Sequence, residues 1–161
     1  MVLKELREDV KYAHEVSGAR PTLPYAWASP SIRCATYMRI AARGGFWGKV
    51  MRARLLSAFS CDVSAGARIA GGLFIPHPVG IVIGIGVVLH GRTHIYQGVT
   101  LGANARGEYP TIEPDVKVYP NSVITGGVNI GRGALIGAGA YVFNDVQPHA
   151  VVRGPSTRIA D

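Results

Sequence analysis

An aliphatic residue or threonine recurs at every sixth position along the second half of the chain. The first run has seven consecutive members: Val63, Ile69, Ile75, Ile81, Val87, Thr93 and Val99. A second run keeps the same spacing: Ile112, Val118, Ile124, Ile130, Ile136 and Val142. Six residues advance an α-helix by well over one and a half turns, so this spacing would scatter the apolar side chains around a helix. It predicts instead a mainly β fold, a parallel β-helix in which three hexapeptides make one coil and the recurring side chains stack inside.

The period is interrupted once. Ile112 follows Val99 at a spacing of one residue more than two full repeats. We therefore expect an excursion loop that leaves the coil at residues 103–111. The expected domain organisation is an N-terminal helical segment at 1–60 and a β-helix domain at 61–161.

Residues 1–60 have helical rather than six-residue spacing. Residues 2–16 carry apolar side chains at intervals of three and four, which indicates an amphipathic helix. Ser29 and Pro30 are typical of an N-cap and a first helical position, and they predict a helix that stops near Gly44 and Gly45. A third helix is expected from about Trp47 to Phe59, with Val50, Leu55 and Leu56 packing inward. The segment between the first two helices, 17–30, has three prolines and is expected to be a connector.

The formal net charge of +7 raises the question of a nucleic-acid partner. Basic residues are spread from Lys4 to Arg158 without a nucleic-acid-binding motif, so no such partner is predicted. A basic surface also suits a small polyanion such as coenzyme A. No apolar run approaches the ~18 residues of a membrane span, and the start of the chain is unlike a signal peptide, so we expect a cytoplasmic protein. Cys34 and Cys61 lack metal-type spacing and are expected to be core side chains.

His77 is the first candidate for chemistry. It lies between Pro76 and Pro78, which stiffen the backbone at an expected corner of the coil. Asp62 precedes it by somewhat less than three repeats. If a coil has about 18 residues, Asp62 falls near the same edge one strand spacing away, at ~4.8 Å. A carboxylate could then orient the imidazole as a general base, or the two could form a purely structural hydrogen bond. The residues alone leave both interpretations open.

Several segments resemble the serine acetyltransferase branch of the hexapeptide acyltransferases, over residues 60–159. They are CDVSAGARI, FIPHPVGIVIG, IYQGVTLGA, NIGRGALIGAGAYV and VVRGPSTRI. The resemblance implies a left-handed β-helix, a homotrimer with active sites between neighbouring subunits, and an acetyl-CoA-dependent O-acetyltransferase activity. It also implies that His77 is the general base and Asp62 its partner. The short helical cap is similar to that of relatives from exopolysaccharide gene clusters.

The resemblance further implies where acetyl-CoA, the co-substrate, would bind. Backbone groups at Gly102, Gly137 and Ala138 match those that hold the pantetheine arm, where small residues allow close approach. Arg153 and Arg158 are candidates for the nucleotide phosphates, or else solvated surface charges, and Lys117 is a weaker candidate. Direct transfer requires no metal and no covalent enzyme intermediate.

Two positions depart from the serine acetyltransferase pattern. That family has Asp immediately before the catalytic His and a second His in an Arg-His-Pro motif on the excursion loop, whereas this chain has Pro76 and Tyr109. Both changes remove charged groups that would recognise free serine. The sequence therefore predicts a sugar or another small hydroxylated metabolite as acceptor, as in capsule-type and exopolysaccharide relatives. The alternative is an L-serine O-acetyltransferase of cysteine biosynthesis.

Two other classes of function fit parts of the pattern. A metalloenzyme resembling γ-class carbonic anhydrases could use His77, His90 and His94, although the spacing is not that of the family's zinc ligands. A non-catalytic β-helical scaffold would not need Asp62 and His77. The chain stops at Asp161 without the tail by which serine acetyltransferases contact their cysteine-synthesis partner, so no such complex is expected. His14 and His149 are expected to be surface residues.

Overall fold

The computed structural model describes residues 2–18 and 28–155. Before the first strand, these residues include the helices α1 (Val2–Ser17), α2 (Pro30–Ala42) and α3 (Gly45–Phe59). The predicted cap of α2 is confirmed, since the Ile32 amide donates to the Ser29 hydroxyl at 3.5 Å. Much of the predicted connector, 19–27, lies outside the described residues. None of the described helices is both long and apolar enough to cross a bilayer.

Between α3 and residue 155 the chain forms fourteen short strands, and every pairing between them is parallel. Sheet 1 contains β1 (Asp62–Val63), β4 (Val82–Ile83), β7 (Thr100–Gly102), β10 (Val123–Thr125) and β13 (Tyr141–Val142). Sheet 2 contains β2 (Arg68–Ile69), β5 (Val88–Leu89), β8 (Thr111–Ile112) and β11 (Asn129–Ile130). Sheet 3 contains β3 (Leu73–Phe74), β6 (Thr93–Ile95), β9 (Lys117–Val118), β12 (Leu135–Ile136) and β14 (Val151–Val152). The chain visits the three sheets in turn, as in a triangular parallel β-helix.

Every residue of the two predicted six-residue runs is buried. The strand register nevertheless differs from the one that the spacing suggested. Val63 pairs with Ile83, not Ile81, and Ile83 pairs with Leu101. The coil that begins at Asp62 is two residues longer than three repeats, and the coil that begins at Thr100 is five residues longer. A uniform coil of three repeats was the wrong assumption at both places.

The extra residues explain the irregular period. Most strands bury a main apolar position and a second position two residues earlier, such as Ile83 and Ile81. Two extra residues before β4 shift the six-residue run onto the second position, and five extra residues before β8 return it to the first. Together the two insertions add one whole repeat and one further residue. The spacing from Val99 to Ile112 therefore exceeds a whole number of repeats by one residue.

The helices are anchored to the first coil by a buried ion pair. Arg39 on α2 donates to both carboxylate oxygens of Asp9 on α1, and both side chains are buried. The amides of Gly72 and Leu73 donate to the same carboxylate at 2.8 Å. The carboxylate is thereby fully hydrogen-bonded, and loss of one partner would leave a buried charge.

The third helix packs less completely than predicted. Leu55 is fully buried, but Leu56 is 50% exposed, so its expected inward packing is wrong. Cys34 and Cys61 are both buried in the core, as predicted. A hydrogen bond from Cys34 lowers the pKa of the buried Cys61 thiol below its ordinary value.

Candidate active site

His77 lies at the corner where the chain passes from sheet 3 to sheet 1, between β3 and β4. This corner carries the two extra residues of the first coil, and the His77 side chain is exposed. The backbone around it is held in place: the Gly80 amide donates to the carbonyl of Phe59 at 3.2 Å, and the Val79 amide donates to the carbonyl of His77 at 2.8 Å. We call this edge of the prism the His77 corner.

Asp62 begins β1 at the same corner, one coil earlier, but its carboxylate binds another residue. Arg52 on α3 donates through Nε at 2.6 Å and through Nη2 at 2.8 Å, one bond to each oxygen. This hydrogen-bonded guanidinium holds the pKa of the Asp62 carboxyl below its ordinary value. Within the described part of the single chain, Asp62 and His77 form no hydrogen bond with each other. Each oxygen of a carboxylate can accept two hydrogen bonds, so Arg52 leaves capacity on Asp62 for a second donor.

Arg52 is not among the site residues predicted from the sequence. It precedes Asp62 on a helix, and sequence spacing alone does not bring a helix side chain onto the first strand of a following β-helix. Only the packing of α3 beneath the first coil brings the two groups together.

An outward-facing column of residues runs along the His77 corner. Its members occupy equivalent positions in five successive coils: Pro76, Tyr96, Tyr119, Gly137 and Arg153. The amides of Tyr96, Tyr119 and Gly137 donate to the next coil at 2.7–3.0 Å. Four strand spacings separate the two ends, about 19 Å. His77 and Ala138 each directly follow a member of the column. The fold thus aligns the predicted base with three of the residues predicted to bind coenzyme A.

Two tyrosines occupy the middle of this column. The rings of Tyr96 and Tyr119 are stacked, with centroids 5.1 Å apart and planes inclined by 11°. Both are half-buried. Neither tyrosine is among the site residues predicted from the sequence, because the excursion lengthens the coil between them and coils of uniform length do not align the two residues.

The glycines predicted to contact the pantetheine arm differ in their structural roles. A Cβ on Gly137 would lie 2.8 Å from the carbonyl oxygen of Val152, so packing of the next coil already requires glycine there. A Cβ on Gly102 would meet nothing closer than the Thr100 methyl at 3.7 Å. The fold therefore does not explain the glycine at 102, which leaves its backbone open to a ligand.

Gly102 lies at a different corner, where the chain passes from sheet 1 to sheet 2. The excursion follows it and is closed by its own hydrogen bonds, among them Asn104 amide to Glu108 carbonyl at 3.2 Å. A groove of about 670 Å³ lies between this loop and the later coils of sheet 1. His77 does not line that groove, so one chain does not bring the two halves of the predicted site together.

Tyr109 ends the excursion with its ring laid over the second coil. A Cβ on Gly84 would lie 2.5 Å from the ring, and a Cβ on Gly86 would overlap it. The ring is half-buried against the core. Its packing explains why glycine occupies both positions, a contact that the sequence alone does not predict.

The remaining candidates are scattered. Lys117 lies on the outer face of sheet 3 beside His94, and Arg158 lies outside the described residues. His94 is buried between the rings of Tyr12 and Phe74, and burial lowers its pKa to about 4. His14, His90 and His149 are exposed. Across residues 2–18 and 28–155, no three His, Cys, Asp or Glu side chains form a possible metal cluster.

Comparison with known proteins identifies the family. Residues 109–144 match the family model described as bacterial transferase hexapeptide (six repeats). The serine acetyltransferase of Synechococcus elongatus is 34% identical over 134 residues, which cover 73% of this chain and 42% of that relative. The serine acetyltransferase of Escherichia coli is 36% identical over 104 residues, which cover 63% of this chain and 38% of that relative. The chain thus spans about two fifths of the length of these curated relatives.

Solved structures of serine acetyltransferases share the fold of this chain. The serine acetyltransferase of Neisseria gonorrhoeae in complex with serine superposes with a TM-score of 0.85 at 29% identity, over 98% of this chain and 68% of that one. Serine acetyltransferase isoform 3 from Entamoeba histolytica in complex with cysteine superposes with a TM-score of 0.82 at 25% identity, over 99% of this chain and 62% of that one. The predicted left-handed β-helix is confirmed by this likeness. The expected closeness to capsule-type relatives finds no support. The chain belongs to the hexapeptide-repeat acyltransferases, in their serine acetyltransferase-like branch.

Proposed function

We propose that the chain is an acetyl-CoA-dependent O-acetyltransferase whose donor lies along the His77 corner. One observation carries the proposal: the predicted base and three predicted donor-binding residues lie along this one corner. Along the coils, the base His77 comes first, then Gly137 and Ala138 for the pantetheine arm, and then Arg153 for the phosphates. The column spans about 19 Å and is lined midway by two half-buried tyrosine rings. Arg153 is exposed at its far end, where a guanidinium can bind phosphate oxygens.

The chemistry requires one base and no metal. The imidazole of His77 accepts the proton of the acceptor hydroxyl, and the hydroxyl oxygen attacks the thioester carbonyl. The carbon–sulfur bond then breaks, and the imidazolium returns the proton to the leaving thiolate. Backbone amides near the corner would stabilise the oxyanion. Asp62 stabilises the imidazolium, and Arg52 keeps Asp62 ionised and oriented.

We infer that the active unit is a homotrimer. The outward face of sheet 1 is largely uncharged, and several of its side chains are exposed to solvent in the single chain: Val82, Tyr141 and Phe143. Exposed apolar patches of this kind are typical of subunit contacts. Sheet 1 also separates the His77 corner from the Gly102 corner. A neighbouring subunit packed here would bring its Gly102 corner and excursion loop to the His77 corner of the first.

For the acceptor, L-serine is the favoured candidate, since the curated relatives are serine acetyltransferases and one solved relative holds serine. This reverses the order of preference reached from the sequence. Pro76 and Tyr109 favour a second candidate, a saccharide hydroxyl, because neither residue offers a charge to the ammonium or carboxylate of serine. We also propose a cytoplasmic location, as expected from the sequence.

The two candidates are separated by measuring kcat/KM with acetyl-CoA for L-serine and for a panel of mono- and oligosaccharides. An L-serine acetyltransferase should prefer serine by at least about tenfold, a difference of about 1.4 kcal/mol in transition-state binding. Preference for a saccharide would favour the second candidate. His77→Ala should lower kcat for any acceptor by about two to four orders of magnitude. Unchanged turnover in that variant, or no thioester cleavage with any acceptor, would contradict the proposed function.

A further inference from the structure

The charge of the chain is concentrated in one segment. Residues 16–61 contain seven Lys and Arg and no Asp or Glu, whereas 62–161 contain seven basic and six acidic residues. Residues 1–15 contain three basic and four acidic residues. The net charge of +7 therefore comes from the part of the chain that holds α2 and α3, although basic residues are spread along the whole sequence. The acidic residues, not the basic ones, are unevenly distributed.

Helix α3 has an uncovered face. Gly48 and Leu55 are its buried residues. At about 100° per residue, the opposite side is formed by Phe46, Ala53 and Ser57, which are exposed, and by Val50, which is half-buried. Phe46 is 73% exposed, and the adjacent Trp47 is 68% exposed with its ring edge-on to that of Phe46 at 5.4 Å. Exposed aromatic side chains of this size, next to each other on a surface helix, are typical of an interaction site.

Cations flank this face. Lys49 lies on one side of the Phe46–Ser57 stripe and Arg54 on the other, and both are exposed. Neither has a carboxylate within ion-pair distance among residues 2–18 and 28–155. Arg43 and Arg52, in contrast, are paired with Glu5 and Asp62. The outward side of α3 thus combines Phe and Trp with unpaired Lys and Arg.

We propose that the outward face of α3 binds the surface of an anionic lipid bilayer. A helix that lies in the bilayer interface buries aromatic and aliphatic side chains at the headgroup level while its Lys and Arg contact lipid phosphates. Tryptophan is favoured at this depth because its ring is apolar and its N–H is polar. The binding would be peripheral and reversible.

The charge pattern favours lipid over other partners. A second copy of the chain would bring one acid-free helix against another, so Lys49 and Arg54 would face like charges across a largely apolar contact. A duplex nucleic acid would use the cations but would leave Phe46 and Trp47 without an apolar partner. A cyclic trimer would present three copies of α3 at one height along its axis, which would raise the avidity for an extended surface.

The test is co-sedimentation of the full-length protein with vesicles of phosphatidylcholine alone or with part of it replaced by phosphatidylglycerol. We expect binding to the anionic vesicles only, with weakening at high salt. Phe46→Ser/Trp47→Ser should lower the partition coefficient at least about tenfold by removing buried apolar area. Lys49→Gln/Arg54→Gln should lower it about thirtyfold through the two lost charges. Neither pair belongs to the proposed active site, so thioester cleavage with a soluble acceptor should stay unchanged and report intact folding.

Two controls are matched to these variants. Leu3→Ser removes an apolar side chain that is also 73% exposed, but from α1. Arg68→Gln/Arg132→Gln removes two charges from the β-helix. Both should bind anionic vesicles like the unmodified chain. The proposal is wrong if the controls lose as much binding as the α3 variants, or if both kinds of vesicle are bound equally or not at all. It is also wrong if Phe46→Ser/Trp47→Ser changes the oligomeric state without lipid, or if α3 variants lose affinity for a duplex oligonucleotide instead.

Discussion

At the scale of single residues, the ion pair between Arg52 and Asp62 involves the proposed partner of the catalytic base. Both partners are partly exposed, so we expect the pair to stabilise the fold by less than about 1 kcal/mol. Its effect should appear in catalysis. Asp62→Asn should lower kcat/KM by less than His77→Ala does, and Arg52→Gln should lower it a few-fold. If Arg52 acts by orienting Asp62, adding Arg52→Gln to the Asp62→Asn variant will lower kcat/KM almost no further. Additive losses in this double-mutant cycle would show that Arg52 acts elsewhere.

His94 makes a prediction about pH at the same scale. Burial, aided by the charge of Lys117, lowers its pKa from 6.5 to about 4. The unfolded chain therefore binds more protons than the folded chain between these values, and stability falls as the pH drops through that window. From about pH 7 to about pH 5 we expect His94 to account for a loss of about 2 kcal/mol in the free energy of unfolding. Urea denaturation of the unmodified chain and His94→Phe would measure it. An equal loss in both proteins would rule out His94 as the cause.

At the scale of elements, the excursion between β7 and β8 is separable from the coil. Its hydrogen bonds are largely internal, and the coil that holds it exceeds three regular repeats by five residues. Deleting Asn104–Glu108 should therefore restore a coil of regular length and keep Tyr109 over Gly84 and Gly86. We expect the melting temperature to change little, while KM for the acceptor rises far more than KM for acetyl-CoA. Equal rises in both would show that the loop does not select the acceptor.

At the scale of the whole molecule, the proposed site is divided between subunits. Trimers reconstituted from a mixture of His77→Ala and the 104–108 deletion should contain some sites with an intact His77 corner and an intact loop. We expect activity well above the sum of the two separate variants. Tyr141 on sheet 1 and Val151 on sheet 3 are similarly exposed, at 63% and 60%. Tyr141→Asp should weaken the trimer, whereas Val151→Asp should not. Sedimentation velocity would distinguish them. No recovery of activity on mixing would mean that each site lies within one chain.

The amino-acid sequence by itself determined the β-helix and the positions of the helices. The six-residue period is a local property, because each hexapeptide buries its own aliphatic side chain regardless of which strand lies beside it. The Ser29–Pro30 start of α2 is local for the same reason. His77 and Asp62 remain predictions from the sequence and the family, with positions on a shared corner that are compatible with their proposed roles.

The tertiary structure alone decided the register and the surroundings of the proposed site. Ile81 and Ile83 are both apolar and both buried, so spacing could not tell which of them stacks on Val63. The contact of Arg52 with Asp62, the burial of His94 under Tyr12, and the exposure of Leu56 all depend on how the helices pack against the first coil. Such contacts join residues from separate elements, and the free energy that selects them comes from burial of whole surfaces rather than from any local sequence pattern.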